Sequence, residues 1–231
     1  MKERIAITGS SGTIGTVLRE GLSWDYDITP IDILTGIDVR DYQQLLNTVK
    51  NHSAIIHLAW NSKTENFRNG NIDPDNFLMA FNVYKAAREA KVPSVIMASS
   101  IHAHAFYGWK TPPLMSVDMI PVPDSPYGAD KVFIESLGRY FASKGLGVVA
   151  VRFGGVNPGN ASPSTEKYPP EERAAWLSHN DCVSLIKKII GAQEIPNNFV
   201  LIYAVSDNER RIHDVSNPFG WTPKKKAEDF T

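Results

Sequence analysis

The chain has 231 residues, 42% of them hydrophobic and 21% charged, with 24 basic and 25 acidic side chains and a net charge of -1. That is the profile of one sizeable domain with an ordinary core, and it carries no charge field of either sign to draw in nucleic acid or an anionic membrane surface. The single cysteine, Cys182, excludes an internal disulfide framework and a cysteine-based zinc site, and it reads as helix packing.

Short β-branched runs alternate with longer amphipathic stretches along the chain. Residues 4–8 predict a first strand. Ile14, Val17, Leu18 and Leu22 recur at helical spacing and predict a helix over 13–22. Strands are expected at 27–33 and 54–58, with a short helix over 42–49 between them. A long helix is expected over 75–90 and a fourth strand over 94–98. Pro126 suits the first turn of a helix running over 127–143. A strand at 148–152, a helix at 181–190 and a strand at 199–204 complete the alternation. This order predicts an α/β fold: a Rossmann-type, doubly wound, mainly parallel sheet in one domain, with a small C-terminal substrate-binding part. The proline- and glycine-bearing stretches 101–125 and 157–170 are candidate substrate loops. Lys224, Lys225 and Lys226, next to Glu228 and Asp229, read as a solvated tail.

The first strand runs into Gly9-Ser10-Ser11-Gly12-Thr13-Ile14-Gly15. Gly9 allows the tight turn, Gly12 allows backbone to approach a pyrophosphate, and Gly15 allows the helix to pack close to the sheet. Ser11, Thr13 and Ile14 then belong to the turn and helix start that would hold the phosphates. The second strand leads to Asp32, seventeen positions after Gly15, where a carboxylate suits ribose hydroxyls and repels a 2′-phosphate. That favours NAD over NADP. Asp38 is a candidate for the adenine edge, and its neighbour Arg40 complicates the cofactor preference.

Tyr127 and Lys131 lie one helical turn apart. A free tyrosine, with a pKa near 10, is a poor base at neutral pH, and a nearby cation favours its phenolate. Ser99 and Ser100 close the fourth strand at the same sheet edge. Ser100 can hold a substrate oxygen while Tyr127 exchanges the proton and a nicotinamide takes the hydride.

Together, Gly9, Gly12, Gly15, Asp32, His57-Leu58-Ala59, Ser100 and Tyr127-Gly-Ala-Asp-Lys131 resemble the extended short-chain dehydrogenase/reductase superfamily, in its NAD-dependent epimerase/dehydratase group. The resemblance implies a Ser100–Tyr127–Lys131 catalytic set. It implies a cofactor site that includes Leu58, Ala59, Asn76, Ser99, Tyr127 and Lys131, with Leu58 and Ala59 lining the cleft, Lys131 able to bond ribose hydroxyls and Asn76 ordering the active site. Within that group, Ser99-Ser100-Ile101-His102, Trp176-Leu177-Ser178 with Asp181, and Ser206-Asp207-Asn208 resemble segments of uronate dehydrogenases. That likeness points to substrate contacts from Ser62 and His102, with Arg173 as a further substrate-side candidate. It also implies oxidation of a sugar hydroxyl, with a hexuronic acid going to its lactone as the specific case. Gly155 stands where those enzymes have a serine, and Arg173 is displaced from their carboxylate-binding arginine.

Among the remaining residues, His57 and Arg152 read as strand-end anchors, His104 as a loop residue, and Asp124 with Ser125 as helix caps. Trp60, Phe106, Tyr107 and Trp109 read as packing aromatics. Val132, Phe133, Leu137 and Phe141 could form a homo-oligomer face or pack on the sheet. No histidine spacing suggests a metal site. The expected partner is a small carbohydrate, with no nucleic acid or membrane, and the expected compartment is the cytoplasm. A nucleotide-sugar epimerase or dehydratase using the same triad is the rival expectation, disfavoured by the short stretch after the fifth strand. A cofactor-sensing protein without turnover is a third, disfavoured by the presence of both Tyr127 and Lys131.

Overall fold

Strand β1 (Arg4–Thr8) pairs in parallel with β2 (Asp27–Ile31) on one side and β3 (Ala54–His57) on the other. In the computed structural model, which describes residues 2–61, 70–105, 114–164, 166–168 and 170–230, the sheet continues through β4 (Ser94–Ser100), β5 (Gly147–Phe153) and β6 (Phe199–Ala204). The order is β2-β1-β3-β4-β5-β6, and every pairing is parallel. The chain moves outward from β1 to β2, then returns past β1 to lay down β3. The direction of winding therefore reverses between β1 and β3, where a crevice opens beyond the C-terminal strand ends.

Helices cover both faces. Helix α1 (Thr13–Leu22) and α6 (His179–Ile190) pack on one, burying Leu18, Leu22, Leu185 and Ile186 against Ile5, Ile7, Ile56 and Val149. Helices α2 (Tyr42–Thr48), α3 (Pro74–Glu89) and α4 (Pro126–Ala142) cover the other, burying Leu45, Val83 and Ile134 against Ala6, Ile55, Val95 and Val148. Successive strand residues thus feed opposite layers, as a period of two requires. Each fully buried aliphatic side chain contributes roughly 1.5–3 kcal/mol. A short helix α5 (Pro170–Ala174) precedes α6.

The Rossmann-type expectation holds, with local differences. β4 extends two residues past its expected end because Ser99 and Ser100 pair with Arg152 and Phe153 of β5. β2 stops at Ile31 because Asp32 caps a 3₁₀ turn over Ile33–Thr35. Phe141 is buried in the core, whereas Phe133 is half exposed and packs edge-on against Phe77, so the expected apolar stripe divides between two roles.

The C-terminal segment is not a loose tail. Asp181 accepts hydrogen bonds from the backbone N–H groups of Lys224 and Lys225 at 2.9 and 3.1 Å and from the Ser206 hydroxyl at 2.7 Å. Asn208 donates to Ala174 and Trp176 carbonyls and accepts from the Ala227 N–H. Lys224 and Lys226 are exposed and Lys225 is half-buried, while their backbone is fastened down. No helix among the described residues is long and apolar enough to cross a membrane.

Candidate active site

The glycine turn opens the crevice. Gly9 has φ +65°, and a Cβ there would fall 2.6 Å from the Ala59 backbone nitrogen. At Gly15 a Cβ would fall 2.3 Å from the Gly9 carbonyl oxygen. Gly12 is different: its nearest neighbour would be the Gly9 carbonyl at 3.4 Å, so its exposed side faces the cleft. Gly12 is also the N-cap of α1 and supplies no side-chain cap, leaving the first helical N–H groups directed at the cleft. The wall across from it is built by Thr8. Its hydroxyl accepts from the Leu58 and Ala59 N–H groups at 3.2 and 3.3 Å, so its own proton goes to His57 Nδ1 at 2.7 Å. His57 is therefore neutral and protonated at Nε2. Burial, with the charge of Lys131, pushes its pKa down to about 3. It is the expected anchor.

Two contiguous clefts share Gly9, Gly12, Leu58 and Trp60. The first, of ≈ 420 Å³, is lined by Asp32, Asp38, Arg40, Ala59 and Asn61 among others. Asp32 accepts from the Ser11 N–H with one oxygen and from the Leu34 N–H with the other, at 3.0 Å each. That fixes the carboxylate at the rim. Arg40 does not face Asp32. Its guanidinium is bracketed by Asp38, at 2.7 Å, and Asp75, at 2.8 Å. Hydrogen bonds from Arg40 hold the Asp38 carboxyl below its ordinary pKa. Asn76, 1% exposed, accepts from the Asn61 N–H at 2.7 Å and donates to its carbonyl, so it orders the chain leaving β3.

The second cleft, of ≈ 410 Å³, is lined by Thr13, Ile14, Gly15, Ser99, Ser100, His102, Tyr127 and Lys131 with Phe153 and Val156. Tyr127 and Ser100 line it together. Ser100 also accepts from the His102 N–H at 3.2 Å, which ends β4 in a 3₁₀ turn over Ile101–Ala103. Gly128 lets α4 begin against that turn, since a Cβ there would fall 2.2 Å from the His102 carbonyl oxygen. Lys131 is 3% exposed. Its Nζ donates to the Ala98 carbonyl at 3.0 Å and sits 3.4 Å from the Trp60 ring centre and 5.4 Å from that of Tyr127.

Burial dominates the charges of this group. It pushes Lys131 down to about 7, opposed by the carboxylates of Asp130 and Glu135. It holds Tyr127 above its ordinary value, against the Ser100 hydrogen bond that lowers it and with the carboxylates of Asp124 and Asp130 adding to the rise. Lys131 is not among the groups that move the tyrosine, so the expected depression by it does not arise within the chain itself.

The remaining expected residues divide. His102 lines the cleft, packs edge-on to Tyr127 with ring centres 5.7 Å apart, and pairs through Nδ1 with Asp124 at 2.7 Å. Asp124 is therefore that histidine's partner, and Ser125 alone caps α4. Burial raises the Asp124 carboxyl, but the His102 and Ser125 hydrogen bonds outweigh it and hold it low. Ser99 borders the cleft yet turns its hydroxyl to Glu135. His104 lies in the bend after the 3₁₀ turn, the loop position expected of it, with its side chain turned inward. It is fully buried and hydrogen-bonds the Tyr203 hydroxyl at 2.6 Å. Arg173 lines neither cleft. Its Nη2 donates to the Ala227 carbonyl at 3.3 Å and its Nε lies 3.6 Å from Glu228, facing the C-terminal segment. Ser62, Phe106, Tyr107 and Trp109 lie outside the described residues. Among the described residues no group of three or more histidine, cysteine or acidic side chains could hold a metal.

Sequence reading missed the partnership of Trp60 with Lys131, because it joins a strand end to a helix seventy-one positions away. It also missed Gly128, although a glycine inside a helical pattern directly after Tyr127 was a usable signal.

Residues 5–168 match the NAD dependent epimerase/dehydratase family. The chain belongs to that family. It is 32% identical over 251 residues to L-arabinose 1-dehydrogenase (NAD(P)(+)) of Haloferax volcanii, covering 97% of each chain. It is 29% identical over 243 residues to uronate dehydrogenase of Agrobacterium fabrum, covering 99% of this chain and 87% of the relative. A crystal structure of a variant uronate dehydrogenase from Agrobacterium tumefaciens complexed with NAD superposes with a TM-score of 0.79 at 27% identity, covering 99% of this chain and 87% of that one. Sugar-oxidising, nicotinamide-dependent enzymes are thus the relatives of this family member across nearly its whole length.

Proposed function

We propose that this protein is an NAD-dependent dehydrogenase that oxidises the anomeric hydroxyl of a free sugar, using Ser100, Tyr127 and Lys131. The observation that carries the reading is the meeting of Ser100, Tyr127 and Lys131 in the lining of one cleft that also holds Gly9 and Gly12 of the glycine turn, with Lys131 one turn along α4 from Tyr127.

The residues fit a dinucleotide. Gly12 and the uncapped start of α1 suit the pyrophosphate, Asp32 the adenosine ribose, and Leu58 and Ala59 the wall between them. NAD, when bound, supplies the hydride acceptor and a positive ring charge. Ser100 donates a hydrogen bond to the sugar oxygen and holds it at Tyr127. Tyr127, as phenolate, accepts the hydroxyl proton while the C–H bond gives up its hydride. Lys131 holds positive charge behind the phenolate, and the apolar walls of Phe153 and Val156 keep water away.

The substrate class we infer is a neutral aldose. Arg173, the arginine nearest the expected carboxylate-binding position, is engaged with Glu228 and Ala227. Among the described residues of the catalytic cleft, Lys131 and His102 are the side chains able to carry positive charge. Lys131 is buried behind Tyr127, and His102 pairs with a carboxylate. A hexuronic acid is the second reading, supported by the Ser99-Ser100-Ile101-His102 string and the likeness to uronate dehydrogenases.

The test is NADH formation at 340 nm with neutral aldoses, including L-arabinose, against D-galacturonate and D-glucuronate, with Tyr127→Phe in parallel. On this reading kcat/KM for the acids is about 10-fold or more below that of the best aldose, a difference of the size of one charge-assisted bond, about 1.5–3 kcal/mol. The reverse order would establish the hexuronate reading. No NADH with any sugar, together with NAD retained through purification, would replace dehydrogenation by the epimerase chemistry of the wider family.

A further inference from the structure

We propose that Trp60 is a positioning residue for catalysis, holding the Lys131 ammonium charged and aligned behind Tyr127. The inference rests on the Ser100–Tyr127–Lys131 reading. The indole lies at the junction of the two clefts, with the Lys131 Nζ 3.4 Å from its ring centre. Its ring meets Tyr127 edge-on at 84°, with centres 6.2 Å apart. One aromatic side chain therefore touches both halves of the catalytic pair.

The physics gives this contact a task. A lysine buried beside one carbonyl loses its proton easily, because the ammonium form has given up its water. The Ala98 carbonyl accepts one of its three N–H bonds. The face of an indole is the strongest aromatic site for a cation, and the attraction grows when water is excluded. The other groups bearing on Lys131 are named by element. Asp130 and Glu135 on α4 favour its charge. His57 at the end of β3 is neutral and feels the lysine as a positive neighbour. Glu135 is already committed to Arg152 and Ser99. Tyr127 completes the set, with Ser100 of β4 and Asp124 and His102 on its far side. Trp60 supplies attraction without a countercharge, so the positive field of Lys131 stays available to the phenolate. A carboxylate in the same place would cancel that field.

Removing the indole should destabilise the ammonium form and, through it, the phenolate. The Lys131 titration then moves to lower pH, and the acid limb of kcat/KM, which reports Tyr127, moves to higher pH. A desolvated cation–π contact corresponds to a displacement of about one pH unit. The experiment compares the full-length wild type with Trp60→Leu and Trp60→Phe. The first readout needs no cofactor: ¹³C NMR titration of ε-labelled lysines, with the Lys131 resonance assigned by its loss in Lys131→Met. The second is the pH profile of kcat/KM for the best sugar. The expected result is a fall of about one unit in the Lys131 midpoint in Trp60→Leu and a smaller fall in Trp60→Phe, with matching alkaline movement of the acid limb. Unmoved midpoints and limbs in both variants, whatever the drop in rate, would overturn the proposal and leave Trp60 as packing. If Trp60→Leu does not fold, Trp60→Phe alone decides, since benzene binds a cation less strongly than indole. Full activity in Lys131→Met would instead overturn the underlying catalytic reading, independently of Trp60.

Discussion

Glu135 and Arg152 face each other in a two-pronged ion pair, Nε to Oε1 and Nη2 to Oε2, both at 2.8 Å, with the residues 4% and 1% exposed. The pair ties α4, which carries Tyr127 and Lys131, to the end of β5. Ser99 adds its hydroxyl to Glu135, and Tyr203 on β6 accepts from Arg152 Nη1 at 3.0 Å. The ends of three strands and helix α4 are thus joined by one buried polar cluster. Replacing one partner strands the other as an uncompensated charge. Glu135→Met should cost about 3–5 kcal/mol in urea unfolding, and Glu135→Met with Arg152→Met should cost clearly less than the sum of the two single changes. A loss under about 1 kcal/mol in the single variant would show the pair to be incidental.

The same cluster shows where sequence reading stops. The bounds of β1, α1 and β6, the three-glycine turn and the Tyr127–Lys131 pair were all legible, because each is written in local periodicity or spacing. Partnerships across elements were not. Nothing near Arg173 in sequence points to Glu228, and nothing near Asp181 points to the backbone of Lys224 and Lys225. Asp124 offered a good local role as a cap, and the histidine that claims its carboxylate lies on another segment. The strings shared with uronate dehydrogenases divide in the same way. Ser99-Ser100-Ile101-His102 lies at the cleft, whereas Trp176-Leu177-Ser178, Asp181 and Ser206-Asp207-Asn208 fasten the C-terminal segment.

Buried histidines set the acid response of the fold, His57 and His213 most strongly, with His104, pushed down to about 4, and His52 shifted the same way. Burial pushes His57 down to about 3, with Lys131 adding to it. Burial does the same to His213, helped by the charges of Arg211, His104 and Arg152. In the unfolded chain both titrate near 6.5. Between about pH 6.5 and 3 the unfolded chain therefore binds protons that the folded one refuses, and stability falls as pH falls through that window. Above about pH 6.5 both states are neutral at these sites and the contribution is flat. Each histidine should remove roughly 1.4 kcal/mol per pH unit well inside the window. Denaturant midpoints measured from pH 7.5 to 5.0 should show a plateau and then a decline, and His213→Asn should make the decline shallower. A decline of unchanged slope in that variant would assign the acid sensitivity elsewhere.

In the proposed cofactor site, Asp32 is the residue expected to decide which dinucleotide the cleft accepts. Its carboxylate is fixed by the Ser11 and Leu34 N–H groups at the cleft rim, so it cannot swing away from a 2′-phosphate. The nearby cation that could compensate, Arg40, is held between Asp38 and Asp75. Wild-type enzyme should therefore prefer NAD. Asp32→Ser should shift the NADP-to-NAD ratio of kcat/KM upward by about 10-fold or more, a change of about 1.4 kcal/mol or greater. Adding Asp38→Asn, which loosens Arg40, should raise the ratio further. An unchanged ratio in Asp32→Ser would mean that the adenosine ribose lies away from this carboxylate.

Asp181 makes a mechanical prediction about the C-terminal segment. Lys224, Lys225 and Lys226 present side chains that trypsin would take, but a protease needs several residues of extended, unpaired backbone around the bond it cuts. The Lys224 and Lys225 N–H groups are held by the Asp181 carboxylate, which is 2% exposed and also accepts from Ser206. The Lys225 carbonyl accepts from the Asp207 N–H at 2.8 Å. Hydrogen bonds to a charged acceptor contribute about 1.5–3 kcal/mol each, so the segment opens rarely while Asp181 is present. Wild-type protein should resist cleavage at these three sites under native conditions, although Lys224 and Lys226 are exposed. Asp181→Ala removes the acceptor for two backbone N–H groups at once, and cleavage there should accelerate by about 10-fold or more, ahead of global unfolding. Mass spectrometry of early digestion products separates the two cases. If Asp181→Ala and wild type lose the C-terminal residues at the same rate, the clasp is not what holds the segment. If the variant is instead cut throughout the chain at once, Asp181 supports the whole fold rather than this segment alone.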